Sequence, residues 1–356
     1  SNDYLGLAQD PFQKELVANQ QTGLLGATGS RLLSGNNEEF EKLETFIANL
    51  HQSDSALLFN SGYDANLSVI SCLQADVIVY DEYIHNSLHM GLRLWKTSCR
   101  NRKSYSFRHN NIADLRNLLR EHHRSARIAI VVESVYSMDG DVAPIGEILD
   151  LALQHQAAVV VDEAHALGVV GRLGRTDEFY AQHPSLCFRV YTYGKAAGCH
   201  GAVVCCDKLA KEFLVNYAYP LIYSTALPVH SLTSIRCAYE TFTSARGDAL
   251  RRTLRKNIEL FRRKLLPCLN NTNFWLAAST TPIQALMIPG NEACTRFCKI
   301  LYELTGIRLF PIKSPTVPVH KERVRIVLHS FNTENEIESL VDGIERTLLQ
   351  MRMPKL

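Results

Sequence analysis

Short apolar runs rich in β-branched residues recur along the chain at 55–60, 76–81, 127–133, 157–162, 187–192 and 201–206. Runs of this length with no polar side are what a strand covered on both faces requires. Between and before them, 36–50, 111–123 and 145–156 place apolar residues at helical spacing. In the last of these, directly after Pro144, residues Ile145, Ile148, Leu149 and Ala152 form a single stripe. Strand and helix alternating in this way predict an α/β architecture, a mostly parallel sheet with helices on both faces.

The pattern changes toward the C-terminus. A basic helix is expected at 248–266, where Arg251, Arg252, Arg255, Lys256, Arg262, Arg263 and Lys264 stand among Leu and Phe. A strand at 281–288, a helix at 291–304 and strands at 307–312 and 323–329 follow. The final helix opens on Thr333-Glu334-Asn335-Glu336, a Thr with Glu three residues on, the pattern of a capping box. The chain is therefore expected to divide into a large domain over 1–240 and a smaller α+β domain over 241–356.

Composition narrows the function. The 356 residues suffice for two domains, and 38 Lys and Arg against 36 Asp and Glu leave a charge of only +2, which does not fit a general binder of nucleic acid. The local basic cluster of Arg93, Lys96, Arg100, Arg102, Lys103 and Arg108 has no aromatic ladder beside it and reads as a solvated face, with steering of an anionic substrate as the alternative. No apolar run approaches the roughly 18–20 residues of a membrane helix. Ten scattered cysteines without a C-x-x-C pair point to free thiols in a reducing, intracellular compartment. The opening Ser1-Asn2-Asp3-Tyr4-Leu5-Gly6-Leu7 reads like the middle of a longer chain, so an N-terminal segment is expected before it.

The chemistry concentrates at strand ends. Asp162-Glu163-Ala164-His165 closes the run that begins at Ala157, and the carboxyl end of a parallel strand is where α/β proteins bind ligands. A nucleotide motor would need a G-x-x-x-x-G-K-[ST] loop upstream, which the chain lacks. The other use of an Asp so placed is an ion pair with a protonated pyridine nitrogen, with His165 reaching the far side of the ring. Downstream, Thr192-Tyr193-Gly194-Lys195-Ala196-Ala197-Gly198 follows another strand. A lysine there, among small residues, suits an amine held against a bound aldehyde; the bland reading is a loop lysine. Ser61-Gly62-Tyr63-Asp64 opens a helix after a strand, either a phosphate-binding helix start or a tight turn. His85-Asn86-Ser87-Leu88-His89 lacks the Glu of H-E-x-x-H, so no metal is expected, and His85 is either structural or stacked on a ring.

Taken together, these motifs resemble the α-oxoamine synthases, a branch of the fold-type I pyridoxal-phosphate (PLP) transferases. The resemblance runs end to end. It covers Asn2 to Leu7, Gly29-Ser30-Arg31-Leu32-Leu33-Ser34-Gly35, Ser61-Gly62-Tyr63, His85, Glu133 to Asp141, Asp162 to His165, Thr192 to Lys195, Ile222 to Pro228, and Ser314-Pro315-Thr316-Val317-Pro318. It implies a mostly parallel seven-stranded sheet in the large domain, a smaller α+β domain, and a homodimer with active sites at the subunit interface. It also implies that Lys195 is the Schiff-base lysine, Asp162 the partner of the pyridinium, His165 a contact of the ring hydroxyl and His85 the residue stacked on the ring. By the same resemblance Gly62 and Tyr63 bind the phosphate, Ser137 and Thr192 add cofactor contacts, and Ser224 and Thr225 reach the phosphate in the partner subunit's site. Asn2, His85, Thr316 and Arg325 match substrate-side positions, with Arg325 as the amino-acid carboxylate clamp.

Within that family, 29–36 and 315–329 are most similar to the biotin-pathway branch, which joins L-alanine to a pimeloyl thioester and releases CO2 with CoA or a carrier protein. Glycine or serine as the amino donor, with a different acyl-CoA, is the alternative. Two departures bear on the acyl group: Lys313 stands where an Arg is found in bacterial members, and the N-terminal segment that carries another substrate Arg is not in the sequence. The expected location is the cytosol, with Pro354-Lys355-Leu356 resembling a peroxisomal address as the other option.

Overall fold

The computed structural model describes residues 1–20, 26–122, 126–270 and 272–352. Among them the large sheet contains β1 (Ser55–Phe59), β2 (Val77–Asp81), β3 (Lys103–Phe107), β4 (Ile128–Glu133), β5 (Ala158–Asp162), β6 (Leu186–Thr192) and β7 (Ala202–Cys206), in the order β1-β7-β6-β5-β4-β2-β3. Strands β2 to β6 pair in parallel. β7 alone runs against its neighbours β1 and β6.

The apolar runs are continuous because both faces are buried. Ala129, Val131, Val160 and Val190 enter one core, with Trp95 and Val69. Their neighbours Ile130, Val132, Val159 and Val161 enter the other, with Leu115, Ile145, Ile148 and Leu149. Successive side chains thus serve opposite faces, as the period of two demands. The helix Ile145–Gln154 buries the predicted stripe.

β3 has no counterpart among the predicted runs. It is an edge strand, Lys-Ser-Tyr-Ser-Phe, that buries only Phe107 fully, so its polar residues conceal it. Of the basic cluster around it, Arg102 lies over the Trp95 ring and Arg108 pairs with Asp114, while Arg93, Lys96, Arg100 and Lys103 are exposed.

The chain forms two compact units. One comprises Leu7–Tyr136 and Ala143–Asp248, the other Ser1–Gly6, Ser137–Val142 and Ala249–Leu356. The expected division into 1–240 and 241–356 therefore differs in two short segments and a few residues at the boundary. Their attachment has visible causes. The Ser330 backbone N–H donates to the Tyr4 carbonyl at 2.9 Å and the Ser330 hydroxyl to that of Leu5 at 2.8 Å. Ser279 and Thr281 donate to the Gly140 carbonyl at 2.8 and 2.9 Å, and Arg323 pairs with Asp139.

This second unit holds an antiparallel sheet of β8 (Trp275–Leu276), β9 (Ile283–Met287), β10 (Phe310–Ile312) and β11 (Arg323–Val327), in the order β10-β11-β9-β8. The predicted capping box is present ahead of the helix Glu334–Arg352. Thr333 Oγ1 accepts from the Glu336 N–H at 3.3 Å, and Glu336 Oε2 from the Thr333 N–H at 2.9 Å. No helix among the described residues is long and apolar enough to cross a membrane. The ten cysteines are free.

Candidate active site

Three parallel strands end side by side, and their last residues build one pocket. Glu133 closes β4 in register with Asp162 at the end of β5, and Asp162 is in turn in register with Val190 of β6. The pocket is lined by Gly62, Tyr63, Asn66, His85, Ser87, Glu133, Asp162, Ala164, His165, Val190, Thr192 and Lys195, with a cavity volume of about 150 Å³.

Asp162 is buried with both carboxylate oxygens engaged. Oδ1 accepts from the Ala164 backbone N–H at 2.8 Å and Oδ2 from the Asn66 amide at 2.7 Å. The turn after β5 brings His165 back over the strand end, where its Nε2 lies 2.7 Å from Lys195 Nζ.

Lys195 sits on the hairpin between β6 and β7. Tyr193 N–H donates to the Gly201 carbonyl and Cys199 N–H to that of Tyr193, each at 2.9 Å. Gly198, at φ +61°, takes the left-handed conformation this hairpin needs, and a Cβ there would lie 2.6 Å from the Leu7 carbonyl carbon.

The opposite wall is made of two helix starts. Ser61 caps the helix Gly62–Cys72 by accepting from the Asp64 N–H at 3.1 Å. The Gly62 Cα faces Thr192 so closely that a Cβ would meet the threonine Cβ at 3.1 Å. His85 caps the helix Asn86–Thr97: its Nδ1 accepts from the Ser87 N–H at 3.2 Å and lies 2.7 Å from Ser87 Oγ. Burial pushes the His85 imidazole below its ordinary pKa and the Lys195 charge acts with it, against Asp162.

Of the residues expected at a cofactor site, Gly62, Tyr63, His85, Asp162, His165, Thr192 and Lys195 converge on this pocket. Ser224 and Thr225 do not line it. They follow the short helix Tyr219–Ile222, where Thr225 bridges Ser30 and its carbonyl accepts from the Asn60 amide at 2.8 Å. In the other unit Asn2, Ser137 and Arg325 come together: Arg325 donates to the Ser137 carbonyl at 2.6 Å and to Asn2 Oδ1 at 3.1 Å. Thr316 stands exposed between β10 and β11.

Sequence reasoning passed over Asn66, Ser87 and Glu133. Asn66 is four residues after Gly62 and so on the same helix face, and Ser87 is two residues after the capping His85. Glu133 ends an apolar run and has no neighbouring motif of its own to mark it. Its carboxyl is fully buried, and burial followed by the neighbouring Asp162 charge pushes it well above the ordinary glutamate range.

The chain belongs to the aminotransferase class I and II family, whose family model it matches over residues 1–344. It is 38% identical to the 8-amino-7-oxononanoate synthase of Emericella nidulans, across 100% of this chain and 90% of that protein. Its fold is similar to that of an SPT solved with PLP, at a TM-score of 0.86 and 25% identity over 98% of this chain and 86% of the other. It is likewise similar to the 8-amino-7-oxononanoate synthase of Francisella tularensis, with a TM-score of 0.81 and 25% identity over 99% and 98% of the two chains.

Proposed function

We propose that this protein is a PLP-dependent acyltransferase that joins L-alanine to a pimeloyl thioester, giving 8-amino-7-oxononanoate with release of CO2 and of CoA or a carrier protein. The observation that carries the reading is the meeting of Lys195 and His165 at 2.7 Å above a buried, doubly hydrogen-bonded Asp162, in a chain 38% identical to such a synthase along its whole length.

The residues fit the cofactor. A buried carboxylate, a primary amine, an imidazole at a helix start and a glycine-led helix N-terminus are the donor set that a pyridinium, an aldehyde, an aromatic face and a phosphate call for. Two buried acceptors on the pocket wall, Asn66 Oδ1 and Glu133 Oε1, have no hydrogen-bond partner. PLP, when bound, supplies a ring that accepts the electrons left at an amino-acid Cα as its proton departs.

The roles follow from that chemistry. Asp162, its oxygens fixed by Ala164 and Asn66, would hold a proton on the ring nitrogen of bound PLP. Lys195 takes the Cα proton as general base and returns it after CO2 has left. His165 would orient the ring hydroxyl of bound PLP, and His85 would cover the ring face. Gly62 and Tyr63 hold the phosphate at the helix start, with Thr192 and Ser137 as further contacts. Arg325, beside Asn2, is assigned to the amino-acid carboxylate because a guanidinium matches its two oxygens; Thr316 is the remaining substrate-side residue.

The active unit is proposed to be a homodimer in which Ser224 and Thr225 serve the second copy's phosphate. Tyr219 and Tyr223, just before them, are 69% and 80% exposed, and aromatic surface of this kind supports an interface there. Light scattering on a gel-filtration column tests this. The proposed location is the cytosol. No observation supports the peroxisomal reading of Pro354-Lys355-Leu356, which lie outside the described residues.

Incubation with L-alanine and a pimeloyl thioester, followed by product mass, tests the activity. Serine is the second reading of the donor, favoured by the similarity to the serine palmitoyltransferase of Sphingomonas wittichii. Spectral titration with alanine, glycine and serine separates the donors. CoA and CO2 release without product of the expected mass defeats the proposed acyl group. Keto acid formed from alanine in place of CO2 would make the protein a simple aminotransferase.

A further inference from the structure

Asn66 and Ser87 line the same pocket and join two of the residues assigned to the cofactor. Asn66 is 3% exposed and Ser87 0%. The Asn66 amide nitrogen donates twice, to Asp162 Oδ2 at 2.7 Å and to Ser87 Oγ at 3.0 Å. Its orientation is dictated by chemistry, because an ionised carboxylate offers lone pairs and no proton, so only the NH2 side can face it. The amide oxygen is buried without a hydrogen-bond partner.

Ser87 continues the chain in one direction. Its oxygen accepts from Asn66, so its single proton is available to His85 Nδ1, 2.7 Å away. The same nitrogen also receives the Ser87 backbone N–H at 3.2 Å. Two donors aimed at one ring nitrogen require it to carry the lone pair, which puts the imidazole proton on Nε2.

We propose that Asn66 and Ser87 are positioning residues that couple Asp162 to His85, holding the carboxylate oxygen toward the ring nitrogen and setting the His85 tautomer through one hydrogen-bonded chain. This rests on the reading of the pocket as a PLP site. The two contacts that flank the ring, one at its nitrogen and one at its face, are then linked and respond together. Neither Asn66 nor Ser87 needs to touch the cofactor for this.

The test uses PLP-loaded protein with Asn66→Ala, Ser87→Ala and the conservative Ser87→Thr. Two quantities are read: the Kd for PLP by titration, and the pH midpoint of the visible absorbance. Loss of a hydrogen bond to a charged group predicts a Kd raised about tenfold in Asn66→Ala, and a smaller rise in Ser87→Ala. The midpoint should move upward in both, since a less firmly held ring proton leaves the nitrogen at Lys195 more basic. Ser87→Thr keeps the hydroxyl and should restore both values.

Kd within twofold of the parent and an unmoved midpoint in Ser87→Ala and Asn66→Ala would overturn the inference. Should a variant fail to fold, the 15N spectrum of the histidine-labelled parent decides: a protonated His85 Nδ1 overturns it, an unprotonated one supports it. Failure of the parent to bind PLP counts against the cofactor reading. Normal binding by the parent with indistinguishable variants counts against this inference alone.

Discussion

Glu133 stands in register beside Asp162, each closing its own parallel strand, and the two carboxyls are provided for unequally. Asp162 receives two N–H bonds, whereas Glu133 Oε1 receives none. Two like charges side by side and out of water are costly. Burial, and then the neighbouring Asp162 charge, raise the Glu133 pKa well above the ordinary glutamate range, which favours its neutral form.

The sign of the pH effect follows. A raised folded-state pKa gives stability that is complete below the ordinary glutamate range and is lost as pH rises toward the folded value. Glu133→Gln removes that titration while keeping shape. Melting of the cofactor-free protein between about pH 5 and pH 9 should show a shallower loss of Tm in Glu133→Gln than in the parent. Parallel curves would mean that Glu133 is already ionised in the folded state.

Lys195→Ala removes the amine that lies 2.7 Å from His165. If Lys195 is the general base and the covalent link, as proposed, turnover should fall by about 10³-fold or more. The visible absorbance of bound PLP should change with it, and added amino acid should no longer produce the parent's spectral shift. Unchanged spectra would move the covalent link to another residue.

Asp177 anchors a buried polar cluster in the large-sheet unit. Its carboxylate accepts from His51 Nδ1 at 2.9 Å, from Arg189 at 2.6 Å and from the Tyr191 hydroxyl. Burial would raise its pKa, but His51, Arg189 and Tyr191 more than offset this and lower it. Asp177→Ala leaves the Arg189 guanidinium buried and uncompensated, which should cost about 3–5 kcal/mol in urea unfolding. The stability that Asp177 supplies is present above the ordinary carboxylate range and is lost as pH falls. Asp177→Asn should therefore flatten the acid side of the stability curve.

Gly198→Ala places a Cβ at positive φ and within 2.7 Å of the Ala8 backbone nitrogen. Backbone cannot yield as a side chain does, so the cost should reach at least the roughly 1–3 kcal/mol of left-handed strain. A lowered urea midpoint together with weaker PLP binding is the expected pair of results, because the same hairpin carries Lys195. Lower stability with unaltered binding would separate the two.

Strand ends and helix stripes could be read from the sequence because each is a local pattern. Asp162 to His165 after five apolar residues, the Ile145 stripe and the Thr333 cap are all of this kind. β3 escaped because an edge strand keeps polar residues, and the reversal of β7 escaped because a doubly buried strand looks the same in either direction. Attachment of Ser1–Gly6 and Ser137–Val142 to the C-terminal unit depends on hydrogen bonds across more than a hundred residues, which no local pattern carries. Asn66, Ser87 and Glu133 belong to the same class. Each looks ordinary in its own segment and acquires a partner only when the strand ends meet.

The reversal of β7 also governs how Lys195 can move. A lysine on a parallel crossover would sit on a connection free to swing with the helix that follows. Here the segment is clamped at both feet by one ladder, from Thr192 opposite Ala202 and Tyr193 bonded to Gly201. The loop is a short handle on a rigid plate, and the amine's travel is limited to the reach of its own four-carbon stem. On the proposed reading, Lys195 would move a proton by rotation of its own side chain, with no backbone opening.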